Sequence, residues 1–139
     1  MTPIDFMQQY AVYIFITLLI SWMLWQRVIA PRLSGVKNVS ASTYFAMRDE
    51  PHTLVDVRSG GEWAGGHAPN AVHIPLGDIA RRKHEIAADK AVVVICASGN
   101  RSAMAATALA NAGMKPVYNF SGGMGAWQGA GLPVRTGTK

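Results

Sequence analysis

Only one cysteine, Cys96, occurs in 139 residues, so no intrachain disulfide can form. A lone thiol is a buried small apolar group, a stray, or a working nucleophile. The four histidines, His52, His67, His73 and His84, show no tight ligand spacing. Beside one Cys they call for no metal site, and no cofactor is expected. Acidic residues are also scarce, eight against thirteen basic, for a net charge of +5. Three of the basic residues, Arg27, Arg32 and Lys37, cluster early in the chain. From Asn38 onward ten basic and seven acidic residues are scattered without a basic stripe, which argues against nucleic acid as a partner. Internal repeats and low-complexity tracts are missing as well.

Charge is missing altogether from Phe6 to Gln26. This run of about 20 residues matches the thickness of a bilayer core. Tyr10, Tyr13, Trp22 and Trp25 lie toward its two ends, where aromatic belts meet the lipid interface. A helix apolar on every side needs more surrounding protein than the rest of the chain supplies. A cleaved signal is disfavoured too, because no Lys or Arg precedes the run and no small-x-small pattern follows it. The expected organisation is a single-pass transmembrane helix with a short linker over residues 1–35, and a domain over residues 36–139. Membrane lipid is thus one expected partner. Arg27, Arg32 and Lys37 follow the apolar run, and positive flanks favour the cytoplasmic side, so the domain is expected to face the cytoplasm. That compartment is reducing and suits a free thiol. Pro31 breaks the helix, and Ser34-Gly35 forms the link.

Beyond the linker, short strands alternate with short helices. Strands are expected at Val36–Val39, Thr53–Val57, Ala71–Ile74, Ala91–Ile95 and Pro116–Asn119. Helices are expected from Ser40 or Ser42 to about Arg48, from Leu76 to about Ile86, and from Ser102 to Ala112, where Gly113 stops the last. Ser59-Gly60-Gly61 reads as a turn, and a short helix is expected around Ala126-Trp127. Ala91–Ile95 is apolar throughout, as in a strand covered on both faces. The pattern predicts an α/β domain with a mostly parallel central sheet.

The chemistry concentrates where that strand ends. Cys96 is followed by the tight polar loop Ala97-Ser98-Gly99-Asn100 and then by a helix beginning near Arg101 and Ser102. Such a loop turns backbone N–H groups toward the sulfur, and the helix N-terminus adds partial positive charge. Gly99 permits a backbone conformation that other residues resist. These features favour thiolate, so the Cys96 pKa is expected below the free value of about 8.5. The same cradle suits the oxygens of an oxyanion and the charged terminal sulfur of a persulfide. Arg101 is either a contact to an anionic donor or a solvated helix residue, and a Cys taken alone reads first as a buried, inert strand end, a reading that its place between an apolar strand and the C-x-x-G-x-R-S loop outweighs.

The loop Cys96-Ala-Ser-Gly-Asn-Arg-Ser102 resembles the persulfide loop of the rhodanese family. Asp56-Val-Arg58 with Glu62-Trp63 and Gly66-His67 resembles that family's D-x-R, E-aromatic and G-H segment. Asn70-Ala-Val-His-Ile-Pro75 and Gly122-Gly-Met-Gly-Ala-Trp127 resemble two further signatures, in the family's order. The resemblance implies a three-layer domain with a mostly parallel five-stranded sheet flanked by helices. It implies a sulfurtransferase that moves sulfane sulfur from thiosulfate or a persulfide through Cys96 to cyanide, another thiol or a sulfur-carrier protein. On this resemblance Ala97, Ser98, Gly99, Asn100, Arg101 and Ser102 form the substrate cradle. Asp56 and Arg58 either shape the pocket floor or tie strand to loop as a salt bridge. Glu62 and His67 are read as structural and Trp127 as core. Ala97 departs from relatives that carry a larger or charged residue there, which leaves donor choice open. Two other classes compete: a cysteine-dependent phosphatase or arsenate reductase on the same scaffold, and a non-catalytic docking module. Phosphatases of related design place five residues between Cys and Arg, whereas Cys96 and Arg101 enclose four.

Overall fold

The computed structural model describes residues 2–29 and 35–138. The chain divides into two compact units, residues 1–30 and 31–139. In the first, helix α1 runs Pro3–Leu24 and continues through a π-helical turn at Trp25–Ile29. Thr2 caps it, and Asp5 closes a reciprocal capping box onto Thr2. The 27-residue span is long and apolar enough to cross a membrane, with a mean hydropathy of 1.7 and none of its residues buried in protein. Pro31 and Ser34, expected to break the helix and form the link, lie outside the described residues.

The second unit carries five strands: β1 (Lys37–Val39), β2 (His52–Asp56), β3 (Ala71–His73), β4 (Ala91–Ile95) and β5 (Val117–Phe120). They form one sheet in the order β1-β5-β4-β2-β3. Every pairing is parallel, so the expected mostly parallel sheet is parallel throughout. Parallel sheets need cover on both faces, and β4 shows how this chain supplies it. Val92, Val94 and Cys96 pack with Ile79, Ala105, Ala106 and Leu109 on one face. Val93 and Ile95 pack with Tyr44, Phe120, Met124 and Trp127 on the other. The helices behind those two layers are α4 (Ile79–Arg82) and α5 (Asn100–Asn111) on the first side, and α2 (Ala41–Met47) and α6 (Gly123–Gly129) on the second.

Three local expectations need correction. Ser59-Gly60-Gly61 is not a turn. Ser59 caps helix α3 (Gly60–Ala64), and Glu62 returns the bond to Ser59, completing an S-x-x-E capping box. The expected helix over Leu76–Ile86 is broken into a 3₁₀ turn (Leu76–Asp78), α4, and a second 3₁₀ turn (Lys83–Glu85). Only Ile79 and Ile86 of this stretch are fully buried, too small an apolar face to hold a long regular helix. Helix α5 starts at Asn100 rather than Ser102, which brings its first turn against the end of β4.

Candidate active site

Strand β4 delivers Cys96 to the carboxyl end of the sheet, the edge at which open parallel sheets present their ligands. Cys96 is wholly buried there and continues the face that packs on α5. The chain turns back through Ala97 and Ser98 to Gly99, whose φ of 104° lies in the left-handed region. That turn aims the Gly99 N–H at the Cys96 sulfur, 3.0 Å away. One turn into α5, the buried Ser102 places its hydroxyl oxygen 3.3 Å from the same sulfur. Burial pushes the thiol pKa up, but the Ser102 hydroxyl and the backbone N–H groups of Ser102, Gly99 and Ser98 outweigh it. The net direction is below the ordinary thiol value, toward thiolate.

The start of α6 holds this loop in place. The Met124 N–H donates to the Cys96 carbonyl at 2.8 Å, so the start of α6 is bonded directly to the loop. A Cβ on Gly123 would lie 2.3 Å from that carbonyl oxygen and 2.5 Å from the Ala97 carbonyl, a distance no side chain tolerates. Gly123 also sits at φ 56°. Gly123 of the Gly122–Trp127 motif therefore packs directly on the Cys96 loop, a role the sequence reading did not assign. Trp127 lies in the core beside Tyr44 and Phe120 and donates its indole N–H to the Pro133 carbonyl.

Asn119 is a second residue the sequence reading missed. It sits in β5, is 7% exposed, and accepts the Ser102 hydroxyl proton at 2.5 Å. Its amide nitrogen donates to the Asn38 side chain and to the Gly99 carbonyl. A polar side chain near the end of an otherwise apolar buried strand was the available signal.

Around the sulfur, the expected cradle residues separate. Gly99 and Ser102 point bonding groups at it, Ala97 is half-buried, and the Ser98 and Asn100 residues stand exposed. The Arg101 guanidinium forms a bidentate pair with Glu62 of α3, at 2.7 and 2.8 Å. That pair, reinforced by Ser59, holds the Glu62 carboxyl down at about 2. Glu62 thus closes the α3 capping box and also pairs with the one basic side chain of the loop.

Asp56 and Arg58 are given to each other. The wholly buried Asp56 carboxylate accepts from the Arg58 backbone N–H and from its guanidinium, at 2.8–3.1 Å. Arg58 also donates to the Gly66 carbonyl at 2.7 Å, and His73 donates to the Arg58 carbonyl. This is the strand-to-loop tie of the two readings open for the pair. His67 is buried, bonded to the Trp63 carbonyl and stacked on the Trp63 ring at 3.5 Å, a packing role.

Comparison with known proteins identifies the family and the fold. Residues 40–130 match the model of the rhodanese-like domain family. The thiosulfate sulfurtransferase GlpE of Pseudomonas syringae is 37% identical over 96 residues, covering 69% of this chain and 91% of that one. A putative sulfur carrier protein of Bacillus subtilis, YrkF, is 41% identical over 81 residues, 58% of this chain; the match spans only 44% of that relative's length. Among solved structures, a rhodanese-related protein from Thermoplasma volcanium superposes with a TM-score of 0.66 at 30% identity, covering 71% of this chain and 97% of the other.

Proposed function

This chain belongs to the rhodanese-like family, and from that premise we propose that it is a membrane-anchored sulfurtransferase with Cys96 as its sulfur-carrying nucleophile. Its relatives include named sulfurtransferases, and a sulfur-transfer role follows at that level. The observation that carries the finer reading is the convergence on one buried sulfur of the Gly99 N–H, which donates to it, and of the Ser102 hydroxyl, which can donate once the sulfur is anionic, at the start of a twelve-residue helix. They lower the thiol pKa and suit the negative terminal sulfur of a persulfide.

In the proposed cycle the Cys96 thiolate attacks the outer sulfur of thiosulfate. A new S–S bond forms, the bond to the sulfonate sulfur breaks, and sulfite leaves with the electron pair. The terminal sulfur, now the charged end of Cys96–S–S⁻, is then attacked by cyanide or a thiolate. That acceptor becomes thiocyanate or a persulfide, and the Cys96 thiolate is regenerated. A persulfide donor, R–S–S⁻, serves the same first step with a thiolate as leaving group. Arg101 is the side chain placed to meet an anionic donor, once released from Glu62. Cys96 has no exposed surface in this conformation, so the loop side chains must part before a donor reaches the sulfur. Asp56 and Arg58 support the pocket from below by fixing the β2 end. A sulfur-carrier protein is a further candidate acceptor. Neither an oxyanion enzyme of the phosphatase or arsenate reductase type nor a non-catalytic docking module is favoured by these relatives.

The proposal assigns residues 1–35 to the anchor and linker, residues 36–139 to the domain, and the cytoplasm to the domain's side. Its support is the apolar span Pro3–Ile29 and the Arg27, Arg32 and Lys37 flank. The deciding experiment treats the protein with thiosulfate, desalts it, and weighs it. One added sulfur atom on Cys96, discharged by cyanide as thiocyanate and absent from Cys96→Ser, is the expected result. Cys96→Ser with wild-type sulfur transfer overturns the assignment, because a serine hydroxyl can neither form the persulfide nor attack unaided.

A further inference from the structure

The hydrogen bonds around Cys96 carry a directional detail that the sulfur-transfer reading does not use. Asn119 can be oriented in one way only. One side of its amide faces the Gly99 carbonyl at 3.3 Å and the Asn38 side-chain oxygen at 3.1 Å, both acceptors, so that side is the nitrogen with its two protons. Its oxygen therefore faces Ser102, 2.5 Å from the hydroxyl oxygen. A serine has one hydroxyl proton, and this contact takes it. What Ser102 turns toward the sulfur at 3.3 Å is then a lone pair. A lone pair suits a thiol, whose S–H can donate to it, and repels a thiolate. When the sulfur becomes anionic the proton must swing from Asn119 to the sulfur, leaving the Asn119 oxygen without it.

We propose that Asn119 is a positioning residue for Cys96, competing with the sulfur for the single proton of Ser102. Asn119 holds that proton while the sulfur is a thiol and yields it when the thiolate or the persulfide forms. Asn38 and the Gly99 carbonyl keep the competitor correctly oriented, which ties β1, β5 and the loop to the state of one sulfur. A competing acceptor weakens the donor's preference for the anion. Asn119 thus keeps the nucleophile less acidic than the cradle alone would make it, and so preserves its intrinsic reactivity as a sulfur nucleophile. The charged and titratable groups at this end of the domain are Arg101 on α5, Glu62 on α3, the Asp56–Arg58 pair after β2, and His73 on β3. The variants below alter none of them.

The proposal rests on Cys96 as the working thiol, but its test does not use sulfur transfer. Cys96 is the only cysteine, so alkylation of the full-length protein in detergent by iodoacetamide reports on it alone. The pH midpoint of the alkylation rate is measured in four proteins. Ser102→Ala removes the donor to the thiolate and raises the midpoint by about one pH unit. Asn119→Leu removes the competitor, leaves Ser102 free to donate to the sulfur, and lowers the midpoint. In the Ser102→Ala background Asn119→Leu leaves it unchanged, because no proton remains to compete for. An Asn119→Leu shift that is upward, absent, or equal in both backgrounds overturns the proposal, since a structural disturbance does not depend on Ser102. If Asn119→Leu does not fold, Asn119→Asp takes its place. Its stronger acceptor raises the midpoint more with Ser102 present than without it, and equal shifts count against the idea. Failure of thiosulfate to load Cys96 while these shifts hold would sink the sulfurtransferase reading and leave the Asn119 competition standing.

Discussion

Arg101 and Glu62 hold each other at the place where, on the proposed function, an anionic donor needs Arg101 free. Both side chains are more than a third exposed, so the pair is screened by water and adds little to stability. On the proposed function its weight falls on substrate binding instead. The Glu62 carboxylate stays ionised at any working pH, because Arg101 holds its pKa at about 2, and it occupies the guanidinium fork that a sulfonate would use. Glu62→Gln keeps the S-x-x-E/Q capping box and removes only the charge. We therefore expect it to raise kcat/KM for thiosulfate by up to roughly fivefold, the scale of an exposed ion pair. Arg101→Ala should lower it by roughly ten- to a hundredfold, the loss of a charge-assisted hydrogen bond. The double variant should match Arg101→Ala alone, and steady-state kinetics on the three proteins checks the set. Independent effects would mean that Glu62 acts elsewhere. The acid limb of kcat/KM for thiosulfate should follow Cys96: activity rises with pH as the thiol ionises, with a midpoint below the ordinary thiol value because that is the direction of its shift. A pH profile placed at or above that value would mean that burial prevails over the donors.

At the scale of elements, the Cys96 loop is held from two sides, by the first turn of α5 and by the start of α6. Sequence periodicity made α5 and β4 legible, because an all-apolar strand and an alanine-rich helix are local patterns. It did not reveal that Gly123 packs against the Cys96 carbonyl, since nothing in Gly122–Trp127 says which backbone it will meet. Gly123→Ala tests that contact. The added carbon meets two backbone carbonyls at 2.5 Å or less, and the residue keeps a positive φ. We expect a loss of stability of about 2–3 kcal/mol, read as a lower urea midpoint, together with loss of persulfide loading. Gly125→Ala is the control, because a Cβ there meets nothing within 4 Å. Equal stability of the two variants would mean that α6 yields freely and does not hold the loop. The turn expected at Ser59-Gly60-Gly61 became a helix for a comparable reason. Glycine signals weigh toward a turn locally, but the Ser59–Glu62 capping box and the burial of Trp63 outweigh them once the helix can dock.

At the scale of the whole molecule, the two units call for different solvents. The described side chains of Pro3–Ile29 are unburied and mostly apolar, whereas the second unit has its own core on both faces of a sheet. A fragment of residues 36–139 should therefore be soluble, folded by circular dichroism, and as able as the full chain to load sulfur from thiosulfate. The full-length protein should sediment with membranes and resist extraction by high salt or carbonate, because a spanning helix is held by apolar transfer rather than by charge. Protease added to the cytoplasmic face should release the domain, and protease added outside should not. Release only from outside would reverse the topology and place the free thiol in an oxidising compartment.

The sequence by itself determined the features that neighbours along the chain can specify. These are the uncharged N-terminal span, the apolar strand running into Cys96, the polar loop with its obligatory glycine, and the order of four motifs. The first three depend on period, propensity or local backbone freedom and read correctly one by one, whereas the motifs were legible as a resemblance to a known family. Only the tertiary structure decided which groups bond to one another. Glu62 and Arg101 are 39 residues apart, Ser102 and Asn119 are 17 apart, and Asn119 and Asn38 are 81 apart. Parallel strands joined by crossovers bring such distant residues to one end of the sheet. Once there, a guanidinium pairs with a carboxylate, and the Ser102 hydroxyl proton goes to the acceptor at 2.5 Å rather than to the sulfur at 3.3 Å. Those differences arise from how the sheet, α3, α5 and α6 pack together, which no stretch of sequence encodes alone.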